Sequence, residues 1–155
     1  MNNKFHADFG VNVEALPLKN IKQIKCGNAC RVDWEEVCPH TKEEEVFVFG
    51  NPPYLGYVLQ DNDQKDDLKR VFGNRTDYKK LDYITCWFYK AAEFIKDTVA
   101  VVGFVSTNSI TQGEQIALLW PSIFDLGISI YFAYHSLIPL QKVAFKVLHY
   151  SIIRF

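Results

Sequence analysis

An α/β fold with a mostly parallel sheet and flanking helices is predicted for this 155-residue chain on three observations. Residues 46–50 (Val-Phe-Val-Phe-Gly) and 99–105 (Val-Ala-Val-Val-Gly-Phe-Val) are near-continuous apolar runs of strand length, the pattern of strands covered on both faces. Between them, Leu81, Ile84, Trp87, Phe88, Ala91, Ala92 and Ile95 recur at three- and four-residue steps, the stripe of an amphipathic helix. A third apolar run, residues 128–133 (Ile-Ser-Ile-Tyr-Phe-Ala), follows a second helix. Strand, helix, strand, helix, strand in this rhythm gives parallel strands joined by right-handed crossovers.

Residues 1–20 show no strong period, and Gly10 and Pro17 break them into an irregular N-terminal segment. Residues 21–26 form a short strand candidate that stops at Gly27-Asn28, and residues 29–45 are polar and irregular around Pro39. Residues 61–67 (Asp-Asn-Asp-Gln-Lys-Asp-Asp) form an acidic, polar stretch. Asp97 and Thr98 close the first helix. Thr111-x-x-Glu114 reads as a capping box that opens the second helix, with Gly127 just past its end. After Asp125 no acid remains, and Lys142, Lys146 and Arg154 make residues 137–155 a basic, apolar tail, expected to be a loosely packed end.

Bulk composition narrows the class of protein. Hydrophobic residues make up 48% and aromatics 15%, which excludes a disordered chain. A net charge of −1 supplies no global attraction to nucleic acid, so contact with DNA must come from a local patch or a neighbouring domain. No run of 18 apolar residues exists and the first residues carry no signal-peptide core; a soluble, cytoplasmic protein without membrane contact is expected. Cys26, Cys30, Cys38 and His40 fall within 15 residues, but their spacing matches no common zinc finger or ribbon, and free thiols are the better expectation.

The chemistry concentrates at Asn51-Pro52-Pro53-Tyr54, where the first apolar run passes into a loop. Two consecutive prolines have fixed φ and no N–H, so they make a stiff extended turn that joins neither a helix nor a sheet ladder. The turn holds an amide on one flank and an aromatic ring on the other. A planar base with an exocyclic amino group fits between them: the amide oxygen and a proline carbonyl accept its hydrogens while the ring stacks on its face. In α/β sheets such sites lie beyond the carboxyl ends of strands, as do residues 51–54 and Ser106-Thr107-Asn108-Ser109 here.

With these residues in view, the chain resembles the adenine-specific DNA methyltransferases, and within them the MmeI-like branch of type II restriction–modification enzymes. The likeness runs through Gly27-Asn28-Ala29-Cys30-Arg31-Val32-Asp33-Trp34, Gly50 to Gly56, Tyr78 to Phe88, Phe104 to Ile110, Gln112 to Gln115 and Leu119-Trp120-Pro121. It implies a partial class I S-adenosylmethionine-dependent, Rossmann-like fold over residues 21–136, with S-adenosylmethionine as methyl donor and double-stranded DNA as partner. It implies catalytic roles for Asn51, Pro52, Pro53 and Tyr54 around a flipped-out adenine, and donor contacts from Asn28, Ala29, Asp33 and Asn51. Asn28 stands where the family commonly has a carboxylate; the alternative is that it only supplies a turn after Gly27. The family's first, glycine-rich donor block has no counterpart, since no two of the eight glycines form G-x-G. The chain is therefore expected to be a methyltransferase fragment, inactive alone, completed by a missing domain or partner chain, or else a non-catalytic remnant.

Overall fold

The computed structural model describes residues 24–73, 75–135 and 143–150, with side chains as far as residue 133. The irregular segment 1–20 and most of the first strand candidate lie outside the described residues. The part of that candidate which is described, residues 24–26, is not in a strand.

Four strands form one sheet in the order β1-β2-β4-β3: β1 Phe47–Gly50, β2 Val101–Thr107, β3 Ile128–His135 and β4 Val143–Tyr150. β1 and β2 are parallel, with Phe47 opposite Val101 and Gly50 opposite Phe104. β4 runs antiparallel to both β2 and β3, so the first three strands share one direction and β4 opposes them. The expected strand–helix–strand rhythm holds, but β3 does not pair with β2. The basic tail supplies the strand between them, so it is not the loose end that its composition suggested. Val143-Ala-Phe-Lys-Val-Leu-His-Tyr150 has the β-branched and aromatic content of a strand. Its place in the sheet depends on pairings some forty residues apart in sequence, such as Val101 with His149, which composition does not report.

Among the described residues, four α-helices accompany the sheet: α1 Trp34–Val37, α2 Asn62–Phe72, α3 Thr85–Ile95 and α4 Glu114–Phe124. The central helix is α3, with Phe88, Ala91, Ala92 and Ile95 fully buried. Phe88 meets Phe104 of β2 edge-on at 5.3 Å between ring centroids and Trp120 of α4 at 5.9 Å. This aromatic cluster locks both helices to the sheet. Leu81, at the head of the expected helical stripe, is buried but lies ahead of α3, following the 3-10 turn Asp77–Lys80.

The acidic stretch 61–67, to which the sequence assigned no element, opens α2. Asp61 and Gln64 form a reciprocal capping box, and Leu68 and Phe72 are buried. Conversely, Thr111 and Glu114 form no capping box. Thr111 ends a 3-10 turn and donates to the Asn108 carbonyl at 2.8 Å, while Gly113, at φ 55°, takes the cap position of α4. That left-handed backbone suits glycine alone.

The sheet is also less covered than the apolar run 46–50 implied. β1 is an edge strand among the described residues, and Phe47 and Phe49 are exposed, Phe49 to 84%, while Val48 between them is partly buried. No helix among the described residues is long and apolar enough to cross a membrane.

Candidate active site

Asn51 to Tyr54 leave the carboxyl end of β1 as an extended segment without helix or strand. Pro52 is buried and anchors the turn, while Asn51 and Pro53 are exposed and Tyr54 is half exposed. Among the described residues the Asn51 amide makes no hydrogen bond, through either its oxygen or its NH2.

The loop that follows is held from behind. The Leu55 carbonyl accepts the backbone N–H of Tyr83 at 2.8 Å and the side-chain amide of Gln60 at 3.3 Å. Gln60 is itself buried and donates to the Leu81 carbonyl at 2.9 Å. From α4, Gln115 clamps the same neighbourhood: its oxygen accepts from Asp82 N–H at 3.0 Å and its NH2 donates to the Lys80 carbonyl at 2.8 Å. The backbone beside Tyr54 is fixed by interior amides, leaving the side chains of residues 51 and 54 for other partners.

Beside Tyr54 opens a cleft of about 490 Å³, lined by Tyr54, Leu55, Gly56, Asp82, Thr107, Asn108, Ser109 and Gln112. It spans the loops after β1 and β2, where sequence reasoning had placed both Asn51–Tyr54 and Ser106–Ser109. Thr107 and Ser109 share a hydroxyl hydrogen bond of 2.7 Å. Asn108 carries a buried amide oxygen without a hydrogen-bond partner among the described residues. Asp82 and Gln112, which sequence reading did not nominate, contribute a carboxylate and an amide to the wall. Within the sequence, Asp82 was indistinguishable from the core positions around it.

The predicted donor residues are not gathered into one pocket. The Asn28 oxygen accepts from Cys30 N–H at 2.9 Å, and its NH2 donates to Asp67 at 2.9 Å and to the Tyr83 hydroxyl at 3.2 Å. Ala29 instead lines an apolar groove of about 400 Å³ beside β1, with Gly27, Trp34, Phe47 and Phe49 among its walls. Asp33 is exposed and caps α1 by accepting from Glu35 N–H at 2.9 Å. Asn51 stands apart at the end of β1. Gly27 is needed for close packing, because a Cβ there would lie 2.9 Å from a Val32 methyl.

Around Asn28 is a polar latch that sequence reading missed. Asp67, in the acidic stretch, is 1% exposed. It accepts from Arg31 Nε at 2.6 Å, from Tyr83 Oη at 2.8 Å and from Asn28. Burial raises the Asp67 pKa, but the hydrogen bonds from Arg31, Tyr83 and Asn28 and the Arg31 charge outweigh it, holding the carboxyl below its ordinary value. Burial, first, pushes the Tyr83 phenol well above its ordinary value, so it stays a neutral donor. Lys90 of α3 donates to the carbonyls of Cys30 and Val32 and lies 5.8 Å from the centre of the Trp34 ring. Burial lowers its pKa. Residues 28–34 are thus tied to α2 and α3 through side chains from three directions. Cys30 and Cys86 are buried thiols within this region, and a hydrogen bond between them, together with burial, raises the Cys86 pKa. Cys26 and Cys38 are exposed.

A sheet with three strands running in one direction and an antiparallel insertion, helices packed on it, and an Asn-Pro-Pro-Tyr loop beside a polar cleft at the strand ends define a partial Rossmann-like methyltransferase domain. The chain belongs to the family of the MmeI DNA-methyltransferase domain, whose model matches residues 1–142. It is 53% identical over 121 residues to DNA methyltransferase A of Bacillus subtilis (strain 168), a match covering 78% of this chain and 14% of that protein. Its structure resembles that of the Type IIL restriction–modification enzyme MmeI, solved in complex with DNA, with a TM-score of 0.71 and 37% identity. That likeness covers 95% of this chain and 20% of MmeI. The chain spans a small part of each relative, and the family match continues past residue 136, where the resemblance read from sequence had stopped.

Proposed function

We propose that this chain carries the base-binding half of a DNA adenine methyltransferase that transfers a methyl group from S-adenosylmethionine to the exocyclic amino nitrogen of a flipped-out adenine. The observation that carries the reading is Asn51-Pro52-Pro53-Tyr54 at the carboxyl end of β1, with Pro52 buried, an exposed Asn51 whose amide bonds none of the described residues, and a half-exposed Tyr54 ring beside the cleft.

The adenine amino nitrogen is a poor nucleophile because its lone pair is delocalised into the ring. The Asn51 oxygen and the Pro52 carbonyl accept its two hydrogens and favour a more pyramidal nitrogen, whose lone pair is then free to attack. Tyr54 stacks on the base once it has left the duplex. The chain's contribution is positioning and electrostatics, and no covalent enzyme intermediate is required. When bound, the sulfonium donor supplies an electrophilic methyl group.

Residues 24–133 supply only part of a donor site. Asn51 is open, but Asn28 is engaged at both ends of its amide and Asp33 is occupied as a helix cap. Donor contacts at residues 28–33 therefore fall to the Ala29 side of the turn, or require the Asn28 amide to leave Asp67. The rest of the donor site, and the reading of the DNA sequence, come from a further domain or partner chain. Asp82, Thr107–Ser109 and Gln112 line the remainder of the adenine pocket.

The test is methyl transfer to duplex DNA, read as N6-methyladenine by mass spectrometry. The purified chain is assayed alone and with the remaining part of a relative's methyltransferase domain supplied in trans. The reading expects no product from the chain alone, product on complementation, and loss of product with Asn51→Ala. Methylation of cytosine, or transfer that survives Asn51→Ala, would overturn it. A non-catalytic remnant would fail complementation altogether.

A further inference from the structure

The segment directly after the catalytic tetrapeptide has an unusual combination of order and exposure. Residues 54–59 read Tyr-Leu-Gly-Tyr-Val-Leu, without one charged side chain. Tyr57–Leu59 form a single 3-10 turn, closed by Leu59 N–H donating to the Gly56 carbonyl at 2.9 Å. Val58 is 74% exposed, Leu59 73% and Tyr57 43%. Exposed loops ordinarily carry polar residues, and three consecutive large apolar side chains in water forfeit the burial that would stabilise them.

The turn is nevertheless held rigidly. Gln60 closes it with a buried amide bonded to the Leu55 and Leu81 carbonyls, and Asp61 begins α2 immediately after, its carboxylate turned back onto Gln64 N–H. Next to it packs the basic 3-10 turn Asp77–Lys80, whose Lys80 lies close enough to Tyr57 for the phenol to raise the lysine pKa, after the larger effect of Glu114. Gly56 joins the turn to the wall of the 490 Å³ cleft. The result is a stiff apolar point on the lip of the cleft, with Asp82 beside Gly56, Lys80 paired with Glu114 at 2.9 Å, and the exposed Lys79 next to it in sequence.

We propose that Tyr57, Val58 and Leu59 form a wedge that enters the duplex at the position vacated by the flipped adenine. This rests on the base-flipping reading above and extends it to how the gap is held. Extruding a base leaves an apolar slot between two neighbouring base pairs, and apolar side chains are suited to fill such a slot and offset lost stacking. Val58 and Leu59 are the filling groups, and Tyr57 faces the lysine turn, where a phosphate backbone would pass.

The test uses the purified chain and two fluorescently labelled short duplexes, one intact and one with a single abasic site opposite thymine, read by anisotropy. Because the abasic duplex already contains the slot, the wild-type chain should bind it roughly tenfold more tightly than the intact duplex. Val58→Ser with Leu59→Ser should bring that ratio close to one without shifting the melting temperature, both positions being exposed. Val58→Phe with Leu59→Phe, which keeps apolar bulk, should retain the preference. Equal binding of both duplexes by the wild-type chain, or a preference kept by the serine pair, would overturn the wedge. If the serine pair instead abolished self-association in sedimentation with no abasic preference in the parent, the turn would be a protein contact and the proposal would fall. Where the abasic preference is absent, transfer that still depends on Asn51 in the complemented enzyme would show that the wedge alone had failed; loss of that dependence would count against the base pocket itself.

Discussion

Two regions of this domain, the latch around Asp67 and the loop from Asn51 to Leu59, treat their side chains in opposite ways. In the latch, Asn28, Arg31, Asp67 and Tyr83 share hydrogen bonds of 2.6–3.2 Å around a fully buried carboxylate. In the loop, the Leu55 carbonyl is clamped from behind by Gln60 and Tyr83, while Asn51, Tyr54, Val58 and Leu59 are exposed. One region uses its polar groups to hold segments together; the other uses interior groups to present unengaged ones. Tyr83 joins the two, with its hydroxyl in the latch and its backbone N–H on the loop.

The comparison is tested most severely by Asn51→Ala. If the loop presents functional groups and carries little of the fold, methyl transfer by the complemented domain should fall by roughly 10²–10³-fold, the usual effect of removing one preorganised hydrogen-bonding group. The melting temperature should stay within about a degree of the parent's, as for an exposed substitution. Asp67→Ala should do the reverse to stability. Removing the shared acceptor strands Tyr83 and Asn28 and should cost about 2–3 kcal/mol in urea denaturation. A loss near zero would mean that the latch is decoration.

Acid sharpens the same point. The Asp67 carboxyl titrates lower in the folded chain than in the unfolded one, so its contribution is complete above the free value of 3.8 and disappears as pH falls through the folded pKa. The melting-temperature gap between the parent and Asp67→Asn should therefore be flat at neutral and mildly acidic pH and close below that value. Tyr83→Phe, which removes one hydroxyl and keeps the backbone bond to Leu55, should cost about 1 kcal/mol of stability. Tyr54→Phe should change almost nothing, because stacking needs the ring and not the hydroxyl, whereas Tyr54→Ala should weaken base binding by about 1–3 kcal/mol.

Legibility from sequence followed the same division. Asn51–Tyr54 and the loop at residues 106–109 were readable because turn chemistry and strand ends are local signals, and the structure sets the two loops beside one cleft. Three strands and two of the three eleven-residue helices were readable from periodicity, and α2 was not. Asp67 was not, because nothing in Asp-Asn-Asp-Gln-Lys-Asp-Asp distinguishes the one carboxylate that α2 turns inward from those left in water. Nor was β4, whose pairing is settled by distant partners. The donor role expected of Asn28 came from matching a motif position; in the fold its amide is spent on Asp67, Tyr83 and Cys30, which only tertiary contacts reveal.

The central claim is that the open loop, and not the latch, takes the base. The most direct test is an isotope-resolved NMR titration of the chain with adenosine, following the side-chain amides of Asn51 and Asn28, with inosine, which lacks the amino group, as the control. The account predicts movement of Asn51 and of the Tyr54 backbone with adenosine, little with inosine, and a stationary Asn28. Movement of Asn28 without Asn51, or equal responses to the two nucleosides, would contradict it.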